Sequence, residues 1–254
     1  MSKKDDFFIG WSADTPGPDR RFLLGASALL LGGAGGLAWL GGTRLNAAGP
    51  GNWAMGDMRE WRGFAVAEPY PMLRYLADDG TVRTALLGCM NKCAPKLMID
   101  QHKDQPVIVR GSPIQRGPHL MIATEDFGAW IEPTSDQQPG DADLAFPEPE
   151  ALEDVSLAGE ILDTKCWFGA MRPSEGKVHK ACASLCIRGG LPPAFYPKSL
   201  REQSRLLIMT DTDGNGIGED ILPYVADRVA ITGTMKQMGD LLILATEAST
   251  ITRL

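Results

Sequence analysis

The chain has 254 residues, a formal net charge of −7 and five cysteines. That length holds two small domains beside an anchor, and the acidic balance, with no run of Lys and Arg in the polar part, excludes an electrostatic footprint for nucleic acid. An odd number of cysteines leaves at least one thiol outside any internal disulfide.

Residues 1–21 are polar apart from Phe7, Phe8, Ile9 and Trp11, and they end in Asp19, Arg20 and Arg21. From Phe22 to Thr43 no residue carries a charge. At about 1.5 Å per residue this stretch spans the hydrocarbon core as one transmembrane helix, 22–43. Lys3, Lys4, Arg20 and Arg21 precede it and only Arg44 follows closely. The positive-inside rule therefore predicts a cytoplasmic segment, 1–21, and a soluble part on the periplasmic side of the inner (cytoplasmic) membrane. Arg20–Arg21 followed by Phe-Leu-Leu resembles a twin-arginine export signal without the usual spacer residue, and the resemblance implies export of a domain already folded around its metal. No Ala-x-Ala site follows, which favours an uncleaved anchor over a removed signal peptide. Gly32 and Gly36, at small-xxx-small spacing and flanked by Gly33 and Gly35, let a helix of a membrane protein complex approach closely; the alternative is that Gly and Ala merely fill a hydrophobic signal in the lipid bilayer.

The rest of the chain contains a duplication. Residues 107–125, VIVRGSPIQRGPHLMIATE, lie over residues 229–247, VAITGTMKQMGDLLILATE, without a gap. Each copy reads as a strand, a Gly turn and a second strand, which is a hairpin. Upstream, Gly63-Phe-Ala-Val-Ala and Gly159-Glu-Ile-Leu-Asp open the two copies, and the second copy is the longer between these points. Between the copies, residues 133–154 are rich in Pro and carboxylates and have no basic residue, the composition of an extended, solvated linker. The expected fold is therefore all-β dominated, with two tandem small Greek-key barrels of the OB-like type, 53–132 and 155–254, the second carrying an inserted short helix.

That insertion concentrates the chemistry. If Lys177 to Ile187 is helical, His179, Cys182 and Cys186 stand at i, i+3 and i+7 on one face, and Cys166 joins them from the end of the run GEILDTKC. Three sulfurs and one imidazole make a soft tetrahedral set of the kind that holds zinc or an iron–sulfur centre such as [2Fe–2S], with copper(I) as a further option. The alternatives are a disulfide from Cys166 to one of the others with a spare thiol, or inert buried thiols. Lys165, Arg172, Lys177 and Lys180 flank the set and would lower thiol pKa values. Gly189 and Gly190 end the helix, and Pro192–Pro193 stop its continuation.

Gly159, Asp163 and Cys166, then His179-x-x-Cys182-Ala183-x-x-Cys186, then Gly190-x-Pro192, form a pattern similar to a broad group of exported bacterial OB-like domains. The likeness covers 155–254; for 53–132 it rests on the repeat.

Cys89 and Cys93 fall in the first copy where the second carries its insertion, and read as a local disulfide or as part of a soft patch with Met90 and Met98. His102 and His119 are isolated and read as surface or satisfied residues. Asp211 to Gly216 begins like a calcium loop, but Leu222 stands at the twelfth position, so it reads as a hairpin turn. No nucleophile elbow or phosphate loop occurs. The expectation is a membrane-anchored, metal-binding accessory or electron-transfer subunit of a respiratory or redox complex. The alternatives are a thiol-redox or copper-handling protein, or an OB-type module that binds an oligosaccharide or peptide.

Overall fold

The computed structural model describes residues 17–46, 51–102, 105–126, 128–136, 140–201 and 203–254. The expectations for residues 1–16, including the charges of Lys3 and Lys4, lie outside them. The chain divides into two units at the Gly49–Pro50 bond.

The described residues of the first unit form a helix, α1 (Gly17–Asn46), of 30 residues, about 45 Å at 1.5 Å per residue. Its stretch Gly17–Leu40, with mean hydropathy 1.7, is long and apolar enough to cross a membrane. The helix contains the whole of the predicted segment 22–43 and extends it at both ends.

The second unit is built of strands. In the first half these are β1 (Asn52–Trp53), β2 (Arg59–Val66), β3 (Met72–Leu76), β4 (Val82–Cys89), β5 (Pro106–Arg116), β6 (His119–Thr124) and β7 (Ile131–Pro133), with a short helix α2 (Lys96–Asp100) after β4. The second half has β8 (Glu150–Asp163), helix α3 (Lys180–Arg188), β9 (Pro193–Pro197), β10 (Leu207–Thr210), β11 (Arg228–Met238), β12 (Leu241–Ala245) and β13 (Thr252–Arg253). Strands β2-β3-β4-β6-β5 close back on β2, and β8-β9-β10-β12-β11 close back on β8, giving two closed five-stranded barrels. In each barrel the third and fifth strands pair in parallel, β4 with β6 and β10 with β12, while the other pairings are antiparallel.

The sequence repeat is the β5–β6 hairpin laid over the β11–β12 hairpin. Its glycines recur for backbone reasons. Gly117 and Gly239 both turn with positive φ, +55° and +60°. A Cβ on Gly111 or Gly233 would stand 2.6 Å or 2.5 Å from the carbonyl oxygen of Ala123 or Ala245 on the paired strand.

Two expectations need correction. The insertion of the second barrel lies between its first and second strands, β8 and β9, whereas Cys89 ends the third strand of the first barrel and Cys93 follows it, so the two positions are not equivalent. Nor is all of 133–154 linker: its described residues are mostly exposed, as the composition implies, but Arg62 grips Asp141 at 2.6 and 2.7 Å, Leu144 is buried, Phe146 packs on the core, and β8 already begins at Glu150. Two apolar side chains and one charge pair anchor the segment.

The barrels have their own cores and also share a third. Ile161, Phe195, Leu207 and Leu244 centre the second barrel, and Leu73, Leu87, Val109 and Ile122 the first. Between them, Met72, Leu86, Ile114 and Met121 pack against Leu162, Trp167, Phe168, Tyr196, Ile208 and Ile243. Strands β9 and β10 are buried on both faces and therefore read as apolar runs, PAFYP and LIMT, rather than as alternation. Tyr70 ties the seam, donating to the Met209 carbonyl at 2.7 Å and accepting from the Ile217 N–H at 3.0 Å. Arg116 lies 3.9 Å over the Trp167 ring and donates to its carbonyl at 3.0 Å. His119 is buried against Trp167 and Phe168 rather than on the surface.

Candidate metal centre

The site grows from the end of β8. After Asp163 the chain tightens through Thr164 and Lys165 into a wide helical turn, Cys166–Ala170, that buries Cys166, Trp167 and Phe168. Gly169 ends the turn at φ +146°, with its Cα face against the backbone of Gly51 and Asn52. The chain returns through a 3₁₀ turn, Lys177–His179, into α3. The predicted helical stretch thus forms as a 3₁₀ turn continued by an α-helix. Ala183, Cys186 and Ile187 are its buried face, Gly190 at φ +90° its exit, and Leu191 packs beneath.

Asp163 is fully buried and organises both segments. Its Oδ1 accepts the Cys166 N–H at 2.8 Å, and its Oδ2 lies 2.9 Å from His179 Nε2. A carboxylate accepts, so Nε2 donates to it, and in the neutral ring Nδ1 is the nitrogen with a free lone pair. This is the carboxylate–histidine arrangement that orients metal-binding imidazoles.

Donor atoms of Cys166, His179 and Cys182 lie within 4.8 Å of one another, as do those of Asp163, Cys166 and Cys186. The four expected residues are therefore gathered around Cys166 as two overlapping groups. Cys166 Sγ and Cys182 Sγ are 3.8 Å apart. Two thiolates on one tetrahedral zinc stand about 3.8 Å apart, given a metal–sulfur bond of roughly 2.3 Å. None of the three is in a disulfide; Cys166 and Cys186 are buried and Cys182 is half-buried. The Cys166 thiol donates to Cys186, which lowers the pKa of Cys186 and, with burial, raises that of Cys166. These residues, by donor type and spacing, can hold a metal ion.

The first barrel also reaches the site, which the linear sequence did not reveal. Cys89 and Cys93 form a disulfide, and Lys92 inside that loop places Nζ 2.7 Å from Cys182 Sγ and 3.7 Å from Cys186 Sγ. Partial burial works against its charge, but the hydrogen bond to Cys182 and the sulfurs of Cys186 and Cys166 raise the Lys92 pKa. In return Lys165 of the second barrel, its pKa lowered by burial, donates to the carbonyls of Cys89, Met90 and Asn91. Two other basic residues expected to flank the thiols are turned elsewhere: Lys180 to Asp227 and the Pro223 carbonyl, Arg172 to the Gly51 carbonyl. The cation that touches the sulfurs comes from about ninety residues upstream. The one signal for it was a Lys between two cysteines of the other repeat.

No protein family, curated protein or solved structure matches the chain.

Proposed function

We propose that the protein is a membrane-anchored periplasmic metal protein. One soft metal ion is held by Cys166, His179, Cys182 and Cys186 at the seam of two OB-like barrels, and the protein serves as a non-catalytic accessory or electron-transfer subunit of a membrane redox complex. The observation that carries this reading is a disulfide, Cys89–Cys93, in the same compact unit as three thiols of which Cys166 lies beside both of the others. Disulfides belong to oxidising compartments. There, thiols 3.8 Å apart with one of them half-exposed are oxidised unless an ion ties them up.

Three thiols and an imidazole, in two overlapping donor groups that share Cys166, support a soft ion such as zinc or Cu(I), with a [2Fe–2S] cluster as the alternative for a divided ligand set. The strand order of both barrels, with the third and fifth strands parallel, supports the OB-like Greek-key reading and the likeness to exported bacterial domains. Arg20 and Arg21 ahead of the apolar helix support a periplasmic soluble part, and Gly32 and Gly36 a docked helix.

Elemental analysis of the full-length protein, purified anaerobically in detergent, with a count of reactive thiols tests this. The expected result is one bound metal per chain and thiols that react only after chelation. A metal-free protein with freely titrating thiols, or one with a Cys166–Cys182 disulfide, refutes it. A colourless zinc protein removes the electron-carrier version and leaves the accessory one.

A second reading, thiol-redox chemistry, draws on the Lys92 ammonium at the half-buried Cys182 sulfur. In metal-free protein it predicts that Lys92→Met slows alkylation of Cys182 at neutral pH. An unchanged rate removes it.

A further inference from the structure

The metal site has a fifth soft donor. Met171 Sδ lies 3.4 Å from Cys182 Sγ, and Met171 is 42% exposed, the strand-like residue that ends the Cys166–Ala170 turn. A thioether is an uncharged soft donor. It binds Cu(I), whereas zinc takes thiolate, imidazole and carboxylate. The depth of the sulfurs is graded: Met171 is exposed, Cys182 half-buried, Cys166 and Cys186 buried.

We propose that Met171 and Cys182 form the entry edge for Cu(I), and that the protein takes up Cu(I) from a thiolate- or thioether-bearing donor and passes it inward to Cys166 and Cys186. The proposal rests on the reading of the cysteines as metal ligands and names the metal. In the first step Cys182 gives its thiol proton to solvent, bonds form from copper to Cys182 Sγ and Met171 Sδ, and the bond from copper to the donor sulfur breaks. In the second, Cys186 and Cys166 give up their thiol protons and bind the ion as Met171 leaves. Copper remains Cu(I) throughout, so no oxidant or reductant is needed. Lys92 at Cys182 offsets the excess negative charge that two or three thiolates place around a monovalent ion.

The exposed thioether also has an ordinary role available, since methionine fills irregular gaps beside cysteine and aromatic groups. The two roles separate by metal. Full-length protein in detergent is titrated anaerobically with Cu(I) against bathocuproine disulfonate, and with Zn²⁺ against a pyridylazo chelator, as wild type, Met171→Leu and Cys166→Ser. Leu keeps the volume and removes the sulfur. Met171→Leu is expected to slow Cu(I) uptake about tenfold or more, with the final Cu(I) affinity and both the uptake and the affinity of Zn²⁺ unchanged. Cys166→Ser is expected to weaken binding of both metals. Equal Cu(I) uptake rates in wild type and Met171→Leu overturn the proposal, as does an equal slowing for both metals, which marks packing rather than ligation. Failure of the wild type to bind either metal overturns the metal-site reading itself, whereas Zn²⁺ binding without Cu(I) binding overturns only the present inference.

Discussion

Replacing Asp163 by Asn changes one atom in the fully buried hub of the site. The amide oxygen still accepts the Cys166 N–H, which is held at 2.8 Å. The amide nitrogen then faces His179 Nε2, where Asp163 Oδ2 stood at 2.9 Å. Two donors cannot share that gap, so the imidazole shifts its proton to Nδ1 and Nε2 becomes the acceptor. Nδ1, the nitrogen left with a lone pair in the native protein, is then lost to a metal. Loss of this orientation is expected to weaken metal binding by about 10–100-fold. The charge-assisted hydrogen bond is worth roughly 2 kcal/mol in stability, or about 4–8 °C in melting temperature for a unit of this size. Competition against a chromophoric chelator reads the first quantity, and calorimetry of chelated protein the second. Metal affinity within about twofold of wild type, in a variant that melts as predicted, would refute the assigned role of Asp163 in orienting the ligand.

Trp167 is almost wholly buried in the core shared by the barrels, so Trp167→Ala should cost about 3–5 kcal/mol. The unit Pro50–Leu254 should also melt in one calorimetric transition; two independent transitions in the wild type would show that the shared core does not couple the barrels. Burial beside Arg205 and Arg116 pushes the His119 pKa down to about 4 from 6.5. The unfolded state thus binds the proton first as pH falls. Stability from this group is complete above about pH 6.5, declines between there and about pH 4, and totals roughly 3 kcal/mol at 1.36 kcal/mol per unit. Urea denaturation across that range checks it, and His119→Gln should flatten that part of the profile.

Much of the candidate site was legible because its proposed ligands sit close in sequence. His179, Cys182 and Cys186 are fixed by helical periodicity, and Cys166 by its place at the end of an apolar strand. What stayed hidden came from the other repeat or from side-chain direction. Lys92 is brought over by the barrel seam, and Asp163 looked like a strand residue until its buried carboxylate was seen between His179 and the Cys166 amide. Met171 carried no signal in the sequence, and only the wide turn sets it beside Cys182.

The sequence by itself determined the apolar helix, the duplicated hairpin and the local cysteine–histidine spacing, since each depends on charge, glycine placement or a period within about twenty residues. Only the tertiary structure decided that the barrels close, that they share an apolar core through strands buried on both faces, and that the acidic connection folds onto them. Those outcomes depend on which surfaces meet across long separations in the chain, where the gain comes from removing apolar area from water, and no local pattern specifies the partner.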